Sequence, residues 1–232
     1  HDWLVVVLDV INKEEHIIIN DPEALEKLYS KNVNTIWAGF NSRHYDQYIF
    51  KGILCGFDPK KINDYIIVKG NPGWKYSSMF RNIKLVNYDV MLGTDRGLKS
   101  FEGFMGNNIM ESGVPFDIDR PLTQEELDET VKYCRHDVEQ TIELFIERKE
   151  EFEASLELIK IFKLPFASIG KTKAQLVAEI LGGMRKKFND NEFEFPIVQC
   201  VKDNLKKYRF VLDWYKDPKN HDYSRFIIPM RN

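Results

Sequence analysis

The sequence predicts an α/β layered domain, and three observations carry that expectation. Strand-like and helix-like segments follow one another as strand, strand, helix, strand, helix over the first 56 residues. The run Thr35–Phe40 (TIWAGF) is apolar throughout its length, as expected of a central strand buried on both faces. A long amphipathic helix then opens at Thr123, with Glu126 three residues on completing a capping box.

Each element has a local cause. Trp3–Val10 (WLVVVLDV) is rich in β-branched residues, Asn12–Glu15 turns it, and His16–Ile19 returns as a second strand. Asp21-Pro22-Glu23 starts a helix with proline in its first turn, continued by Ala24, Leu25 and Leu28 to about Ser30. After Thr35–Phe40 the chain turns at Asn41, and His44–Leu54 reads as a helix closed by Gly56. Asn63–Val68 is a short apolar piece followed by a Gly/Pro loop to Trp74, a ring expected to cover the core edge rather than to stack on a base. Ile83–Tyr88 is a further strand closing on Asp89, and Gly97–Phe101 opens a short helix.

From Thr123 the apolar residues Leu127, Val131, Tyr133, Cys134, Val138, Ile142 and Phe145 recur at helical spacing. Tyr133 and Asp137, four apart, stack on one face, and Asp137 sits beside the apolar stripe, where a carboxylate needs a partner. Glu147–Lys160 extends this helix or begins another, Pro165–Gly170 is a break, and Lys171–Leu181 is a helix ended by Gly182. Phe188–Pro196 is irregular and acidic, and Lys202–Tyr215 is a basic helix in which Lys202, Lys206 and Arg209 follow helical spacing.

At 232 residues and 43% hydrophobic, the chain can bury a full core. The expected division is residues 1–160 as the α/β domain and 161–232 as a helical basic extension packed on it. No apolar run approaches a membrane span, so no membrane partner is expected. Cys55, Cys134 and Cys200 show no paired spacing and read as small buried residues of a reduced, cytoplasmic protein. The net charge of −3 hides an uneven spread: fifteen acids against five bases in Glu111–Glu157, and twelve bases against six acids in Lys160–Lys216. That contrast suits a metal site beside a polyanion track, as well as two solvated faces of opposite sign.

Asp46 follows a strand, Asp89 ends one, and Asp137 lies on a helix with Tyr133. In this order of elements, N-x3-Y-D at Asn41–Asp46 followed by Y-x3-D at Tyr133–Asp137 resembles the DEDD superfamily of 3′–5′ exonucleases, in its tyrosine subgroup. The stretches GFNSRHYD (39–46), GLKSFEGFMG (97–106), VPFDIDRPLT (114–123) and YCRHDV (133–138) are similar to the exonuclease portion of phage-encoded, polymerase I-type DNA polymerases. The resemblance implies a ribonuclease H-like mixed sheet flanked by helices, holding two Mg2+ or Mn2+ ions. Asp46 and Asp137 would be metal ligands, and Tyr133 would orient the attacking water. Asn41, Tyr45, Asp89, Lys99, Lys171 and Lys173 would stand on the substrate side, Asp89 as a supporting aspartate rather than a metal ligand. The implied substrate is single-stranded DNA or a frayed DNA 3′ end, with a polymerase domain following, in a bacterial or phage-infected cell.

One departure bears on all of this. The family's first motif, Asp-x-Glu on the first strand, is absent, and Asp9 is followed two positions on by Ile11. Either the true first strand lies upstream of His1 and Trp3–Val10 is the second strand, or the metal site has been lost. The first account also fits the absent initiator methionine. Two other functions stay open: a catalytically silent nucleic-acid-binding domain, and an RNA-trimming exonuclease of the same superfamily.

Overall fold

β1 (Leu4–Asp9) and β2 (Glu14–Ile19) form an antiparallel hairpin in which Leu4 faces Ile19 and Asp9 faces Glu14. Asp9 builds its turn: Oδ1 accepts the backbone N–H groups of Ile11 and Asn12, and Oδ2 accepts the Asn12 side-chain amide. Lys13 completes the reversal with φ of 58°. These bonds hold the Asp9 carboxyl below its usual value, those of Asn12 most of all. Asp9 is thus the residue that closes the hairpin turn.

In this computed structural model the described residues are 2–91, 93, 96–115, 118, 120–183 and 198–217. After the hairpin, α1 (Pro22–Lys31) is capped by Asp21, whose side chain accepts the Ala24 N–H. β3 (Ile36–Gly39) then pairs in parallel with β4 (Val86–Asp89), Ile36 opposite Val86 and Gly39 opposite Asp89. Between them come α2 (Asp46–Leu54), α3 (Pro59–Asn63), a π-turn (Asp64–Val68) and two short 3-10 turns (Gly73–Lys75 and Ser78–Arg81).

Strand alternation assigns the faces. Val5 and Ile18 meet Leu25 of α1 and Ile49 and Ile53 of α2 in one cluster. Trp37 of β3 turns the same way, its ring 5.2 Å from that of Phe50 on α2. The opposite face of the parallel pair, Ile36, Val86 and Tyr88, packs into the larger core with Leu144, Ile159, Ile169 and Leu176. These come from α5 (Gln124–Glu147), α6 (Lys149–Ile161), a 3-10 turn (Phe166–Gly170) and α7 (Lys173–Ile180). α5 also lies along β1, where Arg135 forks onto Glu15 with its Nε 2.5 Å away. Both strand pairs therefore occupy one layer between α1/α2 and α5, an α/β arrangement as expected.

Among the described residues no ladder joins β1 to β3. β3 is accordingly not buried on both faces: Ile36, Trp37 and Gly39 are half-buried and Ala38 is exposed. An apolar run reports what a strand can tolerate, while the presence of a neighbour on each side is decided by the rest of the sheet.

The break between Glu147 and Lys149 at Arg148 makes two helices of the long acidic stretch. α7 packs within the first compact unit, which runs to Gly182, so the division falls 22 residues later than residue 160. The second unit, 183–232, contains α8 (Gln199–Asn204), a 3-10 turn (Lys206–Tyr208) and α9 (Arg209–Lys216). The expected single basic helix is thus broken, and Lys202 and Arg209 lie on different helices rather than on one stripe. Phe188–Pro196 lies outside the described residues. Cys200 is exposed, against expectation, while Cys55 and Cys134 are half-buried and all three are free thiols. Among the described residues no helix is long and apolar enough to cross a membrane.

Candidate active site

The site begins where β3 ends. A Cβ on Gly39 would lie 2.8 Å from Cβ of Ser42, so the chain can fold back here only on glycine. Asn41 adopts φ of 55°, in the left-handed region that asparagine tolerates. Asp89, opposite Gly39 across the ladder, holds this turn. Its Oδ1 accepts the N–H groups of Asn41 (2.9 Å) and Met91 (3.0 Å), and its Oδ2 accepts that of Arg43 (3.0 Å). The residue is 3% exposed and its oxygens are taken up by backbone. Asp89 is therefore a positioning residue of the turn and not a group facing substrate, which corrects its place on the substrate side. The Asn41 side chain stands at the surface, and no hydrogen bond engages it among the described residues.

The turn delivers Tyr45 and Asp46 to the N-terminus of α2. Asp46 is the first helical residue, where the positive end of the helix favours a carboxylate. Burial among neighbouring atoms nevertheless pushes its carboxyl up to about 6, with Asp89's charge adding to the rise and the residue's own N–H opposing it. Asp46 still reaches water, so it lies in a crowded but open position rather than in a sealed core. Tyr45 points the other way: its hydroxyl donates to Asn63 Oδ1 at 2.7 Å, tying α2 to α3. Burial first, then Asp46 and Asp64, pushes its phenol up to about 12. That bond fixes the Tyr45 ring, expected on the substrate side, at the start of α2.

The second half of the site stands on α5. Its capping box is complete, Thr123 accepting the Glu126 N–H and Glu126 accepting the Thr123 N–H. α4 (Leu98–Met105) lies against α5 and brings Lys99 to Asp137, with Nζ 2.7 Å from Oδ1. The same ammonium is 4.7 Å over the Tyr133 ring and 3.3 Å from Glu102 Oε1. Burial pulls this ammonium down, but the bond and charge of Asp137, with Tyr133 and Glu102, hold it above the usual lysine value. The Tyr133 phenol is raised by burial and then by Asp137, so it keeps its proton at neutral pH.

Cys134 follows Tyr133 on α5. Its thiol is pushed up to about 11 by burial, then by the charge of Asp137, then by that of Asp46. A half-buried thiol so raised is a filler, not a nucleophile.

Sequence reasoning missed Glu102 and His136. Glu102 is completely buried, and His136 Nε2 lies 3.5 Å from its Oε2. Lys99 and His136 stand at ion-pair distance from Glu102, short of hydrogen-bond alignment. The position within GLKSFEGFMG held a signal, since Glu102 lies four residues after Leu98 and three before Met105, on the side of α4 that packs on the core. Lys171 and Lys173 flank the start of α7, paired with Glu179 at 2.7 Å and Glu151 at 3.2 Å, and this helix start meets the turn through Arg43, whose guanidinium donates to Gln175 Oε1 at 2.9 Å.

Asp46 and Asp137 are hard oxygen donors of the kind that magnesium and manganese take. Among the described residues no three His, Cys, Asp or Glu side chains converge on one point. A divalent ion at Asp137 would have to displace the Lys99 ammonium that now holds its Oδ1. Comparison with protein-family models, curated proteins and solved structures finds no match to this chain.

Proposed function

We propose that the chain carries a 3′–5′ exonuclease site of the ribonuclease H-like kind, hydrolysing phosphodiesters at the 3′ ends of single-stranded DNA. What carries this reading is the pairing on α5 of Tyr133 and Asp137, one helical turn apart and bridged by the Lys99 ammonium, with Asp46 at the start of α2 in the order of the N-x3-Y-D and Y-x3-D motifs. In the reaction a water oxygen forms a bond to phosphorus and the P–O3′ bond breaks. The water's proton leaves, the O3′ takes one up, and a nucleoside 5′-monophosphate departs from a strand one residue shorter.

A divalent ion at Asp46 and Asp137 would supply the Lewis acidity that turns a bound water into a nucleophile at neutral pH. The chain's own groups do the rest. The protonated Tyr133 hydroxyl is available to hold the water. Asn41, held by Asp89 through its backbone, presents a free amide to the terminal nucleotide. Lys99 shields Asp137 in the absence of a cation and becomes a phosphate partner once that carboxylate is otherwise engaged.

A second reading is a nucleic-acid-binding domain without activity. It is favoured by the ammonium seated on Asp137. Hydrolysis of 5′-labelled single-stranded DNA in manganese, beside the Asp137→Asn variant, separates the two. A ladder shortening from the 3′ end and lost in the variant supports the exonuclease. Absence of a ladder from this chain, and also from an N-terminally extended one, supports the silent domain.

A further inference from the structure

Trp74, expected at the core edge, is 60% exposed, and it sits in the lobe built by residues 57–84. This lobe has its own aromatic interior: Phe57, Tyr76 and Phe80 are mutually in ring contact, with Tyr65 against Tyr76 and Tyr48 of α2 against Phe80. It is clamped to α2 at three points. Ile62 is fully buried beside Gly52, where a Cβ would lie 2.0 Å from its Cδ1. Gly73 lies so close to Tyr48 that a Cβ would be 2.2 Å from the ring, and Asn63 takes the Tyr45 hydroxyl. The residue preceding Trp74 is thus fixed on the helix turn that carries Asp46, yet the indole itself is left in water.

Around it the lobe presents Ile67, Val68 and Met79, all exposed, and a one-sided charge. Lys60 is paired with Asp64, and Lys84 donates to Asn34. Lys61, Lys69, Lys75 and Arg81 are exposed and have no ion pair among the described residues, and the remaining acid, Asp58, caps α3. Lys75 holds its ammonium 5.3 Å over the Trp74 ring. A fixed exposed indole with Lys75 over its face, on a lobe of six basic residues and two acids, matches the two requirements of single-strand binding, a face for a base to stack on and charges that follow the backbone.

We propose that the Trp74 lobe is a docking surface for single-stranded nucleic acid, with Trp74 stacking on a base and Lys61, Lys69, Lys75 and Arg81 meeting phosphates. The inference deepens the exonuclease reading by giving the strand a path beside α2, but its test does not depend on catalysis. The probe is 5′-fluorescein-labelled oligo(dT), bound to the full chain as its Asp137→Asn variant in EDTA, so that nothing is cut. Trp74→Ala is expected to raise Kd by roughly 5- to 150-fold, the range of a lost base–aromatic stack, and Trp74→Phe to restore most of it. Lys69→Gln, Lys75→Gln and Arg81→Gln together are expected to flatten the slope of log K against log salt by about 2.

Unchanged affinity and unchanged salt slope in these variants overturn the proposal. So does a result in which Trp74→Ala dissolves a self-associated form but leaves oligo(dT) binding intact, which makes the patch a protein contact. Because the readout is binding, loss of affinity with no 3′ ladder from any form of the protein sinks the exonuclease reading and keeps this one. A ladder together with unaltered binding does the reverse.

Discussion

Asp89→Asn is the substitution on which the architecture of the site turns. Asp89 receives three backbone N–H groups on two oxygens, two on Oδ1 and one on Oδ2, in a position 3% exposed. Asparagine has the same shape but one acceptor. Placed with its oxygen at Oδ1 it keeps Asn41 and Met91 and turns its NH2 toward the Arg43 N–H, so donor faces donor. A buried donor left without a partner costs about 1–3 kcal/mol, and two bonds reduced from charged to neutral acceptors lose roughly 0.5–1 kcal/mol each. The expected loss is about 3 kcal/mol, with Asp89→Ala losing more because all three donors are orphaned. Urea unfolding followed by near-UV circular dichroism, with midpoint and slope both fitted, measures it. A variant within about 0.5 kcal/mol of the parent that nevertheless lost nuclease activity would refute the reasoning, because Asp89 would then touch substrate or metal rather than hold the turn.

Four further outcomes follow from single contacts. Leu25→Ala, at a fully buried position between the hairpin and α2, should cost about 2–5 kcal/mol in the same urea assay. Gly170→Ala should destabilise by about 1–3 kcal/mol, because the new Cβ meets the Asn87 carbonyl oxygen at 2.5 Å and backbone cannot step aside. Glu126 is held at about 2 in the folded chain, first by Arg120 and then by the Thr123 N–H, against an ordinary 4.5. A depressed acid stabilises above its unfolded value and loses that as pH falls through the folded one, so Glu126→Gln should lower Tm at pH 7 and by progressively less as pH falls from 4.5 toward 2. Asp46 is raised from 3.8 to about 6, so its ionisation disfavours the fold above that pH. Asp46→Asn should therefore raise Tm slightly at pH 7 and not at pH 4, by less than about 1 kcal/mol since water screens the group, while abolishing any 3′ ladder. A lower Tm at pH 7 would contradict this.

Much of the fold was legible because its signals are local. The Thr123–Glu126 capping box, Pro22 behind Asp21 and the left-handed Gly56 each act within one turn of backbone, and the structure places helix ends at all three. β1 and β2 followed from β-branched runs on either side of a polar turn. The order of Asp46, Asp89 and Asp137 along the chain was equally plain, since it depends only on where strands stop and helices start.

What those residues do was settled by partners remote in sequence. Asp89 and Asp46 have the same side chain at similar strand-to-loop positions. One meets three backbone donors and is buried, and the other meets the helix end and stays open. The Tyr45 hydroxyl, beside Asp46, finds Asn63, and Lys171 and Lys173 find glutamates on α7 and α6. Trp74 was misplaced because hydrophobicity measures the benefit of burial, whereas a neighbouring surface must exist to provide it. The sequence by itself determined an α/β chain with one aspartate just after a strand, one at a strand end and one within a long helix. Tertiary structure alone decided which carboxylate holds the turn, which one takes a lysine partner, and which tryptophan faces water, because each depends on charges and surfaces that only the folded layers bring within a few ångströms.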